Sequence, residues 1–190
     1  MPTPCRLVEP VGHTYHAGWH WEDGADHEHR SEVEIDEATY SLGLDGVHAK
    51  LRAEGRVAPC ETCGRMPPED LPFGQWMGCR KVWGTEDGKL HPGDMFWAPW
   101  LHHDGKCLYW DNCDDPRGHL IVVLPNGHQW DVDSRASNCT MPEDRTHRCW
   151  VRTGEPPNVT AGKSGHTCAA GAGSILSGDY HGFLQNGVLT

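Results

Sequence analysis

Cys60-Glu61-Thr62-Cys63-Gly64-Arg65 carries the clearest chemical signal in this chain of 190 residues. Two cysteines three positions apart, with glycine directly behind them, form the tight turn that aims both sulfurs at one tetrahedral ion. A redox role for the pair would call for a surrounding βαβ pattern, and none is present. One knuckle is half a site. The candidates for the other half are Cys79, which follows Cys63 after 15 intervening residues, and the pair Cys107 and Cys113, with His102 and His103 as nearby alternatives. The expected ion is structural zinc.

Composition explains why a staple is needed. Leu, Ile, Val and Phe together number 31 of 190 residues, which with a formal charge of −11 resembles a disordered chain. Nine Trp, nine Cys and 14 His argue the other way. Aromatic rings supply buried area that the missing aliphatics do not, and a closed zinc site contributes folding free energy directly. A Leu-rich bundle is excluded. The longest clean apolar run, Leu120–Leu124, is far short of the roughly 20 residues a spanning helix needs, so no membrane role is expected.

Charge points the same way for nucleic acid. The pI is near 5.6 and there is no run of Lys or Arg to neutralise phosphates. Acidity is concentrated in Glu22–Glu37, where eight carboxylates meet only Arg30. Such a stretch is read as a solvated face or as a surface for a basic partner. Met1-Pro2-Thr3-Pro4-Cys5 leads into polar sequence without an apolar core, so no secretory leader is expected. An odd number of cysteines cannot all pair internally, and thiolate–metal ligation in a reducing compartment is preferred to a disulfide framework.

Two weaker constellations accompany the knuckle. Cys139, Cys149 and Cys168 form a second cysteine set that, with Cys113, His147 or His166, makes either another metal site, a disulfide, or ordinary buried thiols. His27-x-His29-x4-Glu34 puts two imidazoles on one face of an extended segment. It resembles part of the metal motif of cupins, without the preceding glycine and without a second motif downstream, so the pair is expected first as exposed histidines in an acidic loop.

The expected fold is β-rich α+β: short antiparallel strands and hairpins with one N-terminal helix, stapled by the knuckle. Ser31–Ile35 alternates as a short strand. Tyr40, Leu44, Val47 and Leu51 make one helical stripe between Asp36 and Glu54, with Asp45 as a possible N-cap and Gly55 as its stop. Residues 1–30 show no periodicity. Pro92-Gly93-Asp94 is a turn, and Pro125-Asn126-Gly127 joins Leu120–Leu124 to His128–Val132 in a hairpin. Asn186-Gly187 joins Tyr180–Leu184 to Val188–Thr190 in another. Trp97, Trp110, Trp130 and Trp150, on or beside these strands, are expected in the core. The expected organisation is a His/Trp-rich part over residues 1–88, with the helix and knuckle, and a β-rich part over 89–190, or one continuous domain.

The C-terminal half, about 90–190, resembles a family of uncharacterised proteins encoded by tailed bacteriophages and prophages. The stretches that carry the resemblance are Lys106–Cys113, His119–Trp130, Asp133–Cys139, Arg148–Arg152, Gly173–Ile175 and Tyr180–Leu184. The resemblance implies a viral origin and no particular activity. The function expected is therefore a zinc-stabilised, non-enzymatic phage structural or binding protein, as a virion decoration or accessory protein or a host-directed adaptor. It would act through protein–protein contacts in an assembly or homo-oligomer, located in the host cytoplasm during assembly and in the virion. The alternative is a metal-dependent enzyme, hydrolase-like or cupin-like, with an open His-rich site. No nucleophile elbow, phosphate-binding glycine loop or zinc-protease helix is present, which favours the first reading. Ligand count separates the two, because structural zinc has four protein ligands and catalytic zinc keeps a position for water.

Overall fold

The computed structural model describes residues 1–19, 27–67, 76–103, 106–107, 115–136, 138–144, 147–163, 168 and 173–190. The chain is strand-rich, with two helices and several small, mostly antiparallel sheets. The strands in chain order are β1 (Thr3–Pro4), β2 (Arg6–Leu7), β3 (Pro10–Trp19), β4 (His29–Ile35), β5 (Trp76–Trp83), β6 (Asp94–Ala98), β7 (His102–His103) and β8 (Lys106–Cys107). They continue with β9 (His119–Val123), β10 (Gln129–Asp131), β11 (Val151–Thr153), β12 (Thr160–Gly162), β13 (Ile175–Ser177), β14 (Tyr180–Gly182), β15 (Leu184–Gln185) and β16 (Val188–Leu189). The helices α1 (Glu37–Tyr40) and α2 (Gly43–Ala53) lie between β4 and β5. The chain divides into two units, Pro10–Lys89 and a second made of Met1–Glu9 with Leu90–Thr190. The first nine residues thus belong with the C-terminal part. Their backbone is taken up there, β1 pairing with β16 and β2 running parallel to β6.

In the unit Pro10–Lys89, β3 is the centre of a three-stranded antiparallel sheet ordered β4-β3-β5. Tyr15 stands opposite Val33 on one side and Cys79 on the other. Tyr15, Ala17 and Ile35 pack with Val47 and Leu51 of α2 and with Val57 to form the core of this unit. The single predicted helix is two helices. Asp36 caps α1, accepting from the Thr39 backbone N–H at 2.8 Å. Gly43 then adopts φ +73°, which interrupts the helix and restarts it. Tyr40 and Leu44 consequently fall out of one stripe. Val47 and Leu51 are fully buried while Leu44 is exposed. Asp45 caps nothing: it lies in the first turn of α2, where its charge complements the positive helix end.

In the second unit, β9 is the apolar run read from the sequence, and all five of its residues are buried. It sits inside a sheet ordered β10-β9-β6-β2, flanked by β6 and β10. A strand covered on both faces has no polar side to alternate with, so its sequence is continuous rather than period-two. The Pro125-Asn126-Gly127 turn closes β9 onto β10, with Leu124 N–H donating to His128 O and Gly127 N–H to Leu124 O, both at 2.8 Å. Asn186-Gly187 also turns as expected, joining β15 to β16. Tyr180–Gly182, however, pairs with Ile175–Ser177 instead of extending that hairpin. Trp130 and Trp150 are buried and meet edge to face at 5.2 Å. Trp97 is half-buried against the same core, and Trp110 lies outside the described residues.

Candidate metal centres

Among the described residues, each unit contains one cluster of four Cys and His side chains whose donor atoms lie within 4.8 Å of one another: His27, His29, Cys60 and Cys63 in the first, Cys139, His147, Cys149 and Cys168 in the second.

The knuckle cluster is built against the start of β4. His29 opens that strand and is buried, and His27 lies two residues earlier, with the imidazoles edge to face at 4.7 Å. The Cys60–Cys63 turn is closed by Gly64 N–H donating to Cys60 O at 2.8 Å and Cys60 N–H to Arg65 O at 2.6 Å. Gly64 takes φ +74°, a conformation that favours glycine there. Glu61 N–H reaches Arg30 O at 3.2 Å, and this bond fastens the turn to the strand beside the two histidines. Cys60 Sγ stands 3.8 Å from His27 Nε2, and Cys63 Sγ 3.2 Å from His29 Nδ1. Burial pushes the Cys60 thiol up, but hydrogen bonds from the backbone of Arg30, from His29 and from the backbone of Cys63 and Thr62 outweigh it and bring it well below the usual thiol range. The turn therefore favours the thiolate, the form that ligates metal.

The second cluster is assembled from a long irregular segment. Cys139 follows a turn in which its N–H donates to Ala136 O at 3.0 Å, and its sulfur accepts from Met141 N–H at 3.4 Å. Arg135 clasps the loop that leads to His147, donating to Met141 O at 2.9 Å, to Pro142 O at 2.7 Å and to Asp144 O. His147 and Cys149 are two residues apart, immediately before β11, and both are buried. Cys149 Sγ lies 3.7 Å from His147 Nε2 and 3.7 Å from Cys168 Sγ, and Cys168 Sγ lies 3.9 Å from Cys139 Sγ.

These spacings exclude a disulfide and fit a metal centre. A disulfide needs sulfurs about 2.0 Å apart, and Cys139, Cys149 and Cys168 are all reduced thiols. A tetrahedron with metal–sulfur bonds of about 2.3 Å and metal–nitrogen bonds of about 2.0 Å has S···S edges of about 3.8 Å and S···N edges of about 3.6 Å. The sulfur–sulfur distances of 3.7 and 3.9 Å and the 3.7 Å sulfur–nitrogen distance match those edges. Burial, followed by the neighbouring Cys139 and Cys168 thiols, pushes the Cys149 thiol up, so this cluster favours neutral thiols unless a cation at its centre draws off the protons.

The sequence candidates fall out as follows. Cys60 and Cys63 are joined by the HxH pair rather than by Cys79. Cys79 faces Tyr15 across the sheet, packs against the core of its unit, and stands in neither cluster. It shares a face of the sheet with His29 but stands on the opposite edge strand, at the level of Tyr15 and not of Trp19, and that register keeps it from the knuckle. Cys107 pairs backbone to backbone with His102 in the β7–β8 ladder. The side chains of Cys107, His102 and His103, and the whole of Cys113 and His166, lie outside what is described. Glu34, the carboxylate of the cupin-like reading, points to solvent on β4, and the knuckle supplies the remaining donors instead. Of the first centre the sequence reading held the Cys60–Cys63 half; His27 and His29, expected as exposed histidines of an acidic loop, are instead half-buried and buried and complete the cluster.

Two concavities lie in the unit Pro10–Lys89, one of about 440 Å³ beside Tyr40, Leu44 and Cys79, the other of about 420 Å³ beside His13, Asp36 and Arg56. Neither is lined by a residue of the knuckle cluster. Among the described residues no helix is long and apolar enough to cross a membrane. Comparison of the chain with family models, with curated proteins and with solved structures gives no match.

Proposed function

We propose that this protein is a zinc-stapled, non-enzymatic module that acts through protein–protein contacts, with one zinc in each unit. The observation that carries the reading is the donor count. Each cluster offers four protein ligands, all thiolate or imidazole, and a site filled by four protein ligands has no position for a substrate or an activated water. Mixed sulfur and nitrogen donors are the ligand set of structural zinc, and in the Cys139 cluster they stand at tetrahedral spacing. His27, His29, Cys60 and Cys63 would hold one ion, and Cys139, His147, Cys149 and Cys168 the other; bound there, zinc supplies cross-linking and charge neutralisation.

The partner class follows from surface and sequence. The acidic stretch favours a basic protein face. Part of it is already neutralised within the chain: Arg80 bonds both oxygens of Glu32 at 2.7 and 2.6 Å, and Arg30 bonds Glu28. The phage-like C-terminal stretches support a place as a virion decoration or accessory protein, or as an adaptor directed at a host protein.

Cobalt substitution tests the closed-site reading. Cobalt(II) in both centres should give the intense visible bands of tetrahedral thiolate coordination, unchanged by added azide. Azide-dependent shifts would reveal an open position and favour a metal-dependent enzyme.

A further inference from the structure

We infer that the two centres differ in kind: the knuckle centre exchanges its metal while the chain stays folded, whereas the Cys139 centre holds its metal as part of a core. The inference rests on the reading of both clusters as zinc centres, and three observations carry it.

The first is access. An incoming chelator or apo-protein displaces zinc ligand by ligand, beginning with one it can reach. Cys63 is exposed and His27 half-buried, so the knuckle presents an open edge. In the second cluster His147, Cys149 and Cys168 are buried, and only Cys139 is half-buried.

The second is the neighbourhood of the ligands. Cys149 and Cys168 belong to the same buried cluster as Trp130 and Trp150, and Cys139 packs against it. Loss of that ion leaves three thiols and an imidazole inside a core. The core of the other unit is formed by Tyr15, Ala17, Ile35, Val47, Leu51 and Val57, and none of the four knuckle ligands is among them.

The third is the scaffold. His29 is held by β4, which is paired with β3 along its whole length, from Trp19↔His29 to His13↔Ile35. That ladder persists without metal. Residues 139–149 carry no strand or helix among those described. The Arg135 clasp and the metal ligands are what fix their course.

The knuckle centre is thus a site for an exchangeable borderline-soft divalent cation, zinc or cadmium, on a unit that keeps its core without it. Its consequence is a metal-responsive surface: ion uptake orders the exposed Glu61–Gly64 turn against His27 and His29, and release loosens it.

The test is chelator challenge of the full, reduced, zinc-loaded chain with excess 4-(2-pyridylazo)resorcinol, followed by native mass spectrometry and near-ultraviolet circular dichroism. The expected course is loss of one zinc in an early phase, accumulation of a one-zinc species with the tryptophan signal retained, and restoration of the second zinc on adding zinc salt. Cys63→Ser should abolish the early phase and carry one zinc from the start. Release of both ions in a single phase overturns the inference, as does collapse of the dichroism with the first ion or survival of the early phase in Cys63→Ser. A reduced chain that folds and takes up no zinc overturns both this inference and the zinc reading beneath it, whereas the single-phase result leaves the zinc reading standing.

Discussion

At the scale of single residues, Arg135 supports the second centre although it is not one of its donors. Its guanidinium reaches the carbonyl oxygens of Met141, Pro142 and Asp144 in the loop between Cys139 and His147, which orders that loop before an ion arrives. Charge-assisted hydrogen bonds of this kind contribute about 1.5–3 kcal/mol each when well formed, less at a partly exposed site. Arg135→Ala is therefore expected to lower stability by about 2 kcal/mol and to weaken zinc retention at the Cys139 centre while leaving the knuckle centre loaded. Urea unfolding together with metal analysis checks this; unchanged retention would show that the loop orders without the clasp. Removing a ligand is more severe. Cys149→Ser should cost several kcal/mol or abolish folding of its unit, because structural zinc binding is itself folding free energy.

The same scale shows what the sequence disclosed. The Cys60–Cys63 turn and the His27–His29 pair are each legible from spacing alone. Their union is not, since the interacting atoms are separated by 33 and 34 positions, and what joins them is a backbone bond from Glu61 to Arg30 that leaves no trace in residue type. Glu34 competed as a ligand because it is near in sequence; the pleat of β4 turns it outward. The second cluster was legible as a list of cysteines without a pattern, because its donors come from an irregular segment that no periodicity describes.

At the scale of elements, apolar runs and turn chemistry were readable and long polar strands were not. β9, its Pro125-Asn126-Gly127 turn and the β15–β16 hairpin follow from local sequence. β3 does not, although it is the longest strand described: its buried positions include His13, Thr14 and Tyr15, residues that read as polar or as ligand candidates. The helix was legible as a stripe, but its break was hidden in Gly43, whose left-handed φ separates α1 from α2. Turn geometry gives a direct prediction. Asn186 and Gly187 both have positive φ, 47° and 74°, as in the tight hairpin turn that matches strand twist. A Cβ at Gly187 would also collide with the carbonyl oxygen of Pro157. Gly187→Ala should destabilise the second unit by about 1–3 kcal/mol, read as a lower thermal midpoint. A midpoint equal to the parent's would mean that the turn readily changes type.

At the scale of the whole molecule, the scarcity of aliphatics and the abundance of Cys, His and Trp have one physical explanation. A unit of about 80 residues has little core to set against chain entropy, and metals are a common way to close the gap. Each unit has its own small core and, among the described residues, a four-donor cluster, which accounts for the abundance of Cys and His in a chain with few aliphatics. Removing metal should then act on the two units unequally: the Pro10–Lys89 unit gives up its ion first and keeps its core, while the second unit gives up its ion last and loses its tertiary signal with it, since its ligands are part of its core.

The most direct measurement is native mass spectrometry of the reduced full chain, alongside Cys60→Ser and Cys149→Ser. The parent should carry two zinc ions, and each variant that remains folded should carry one. A folded parent without bound metal, or a variant that still carries two, would contradict the assignment of one four-ligand centre to each unit.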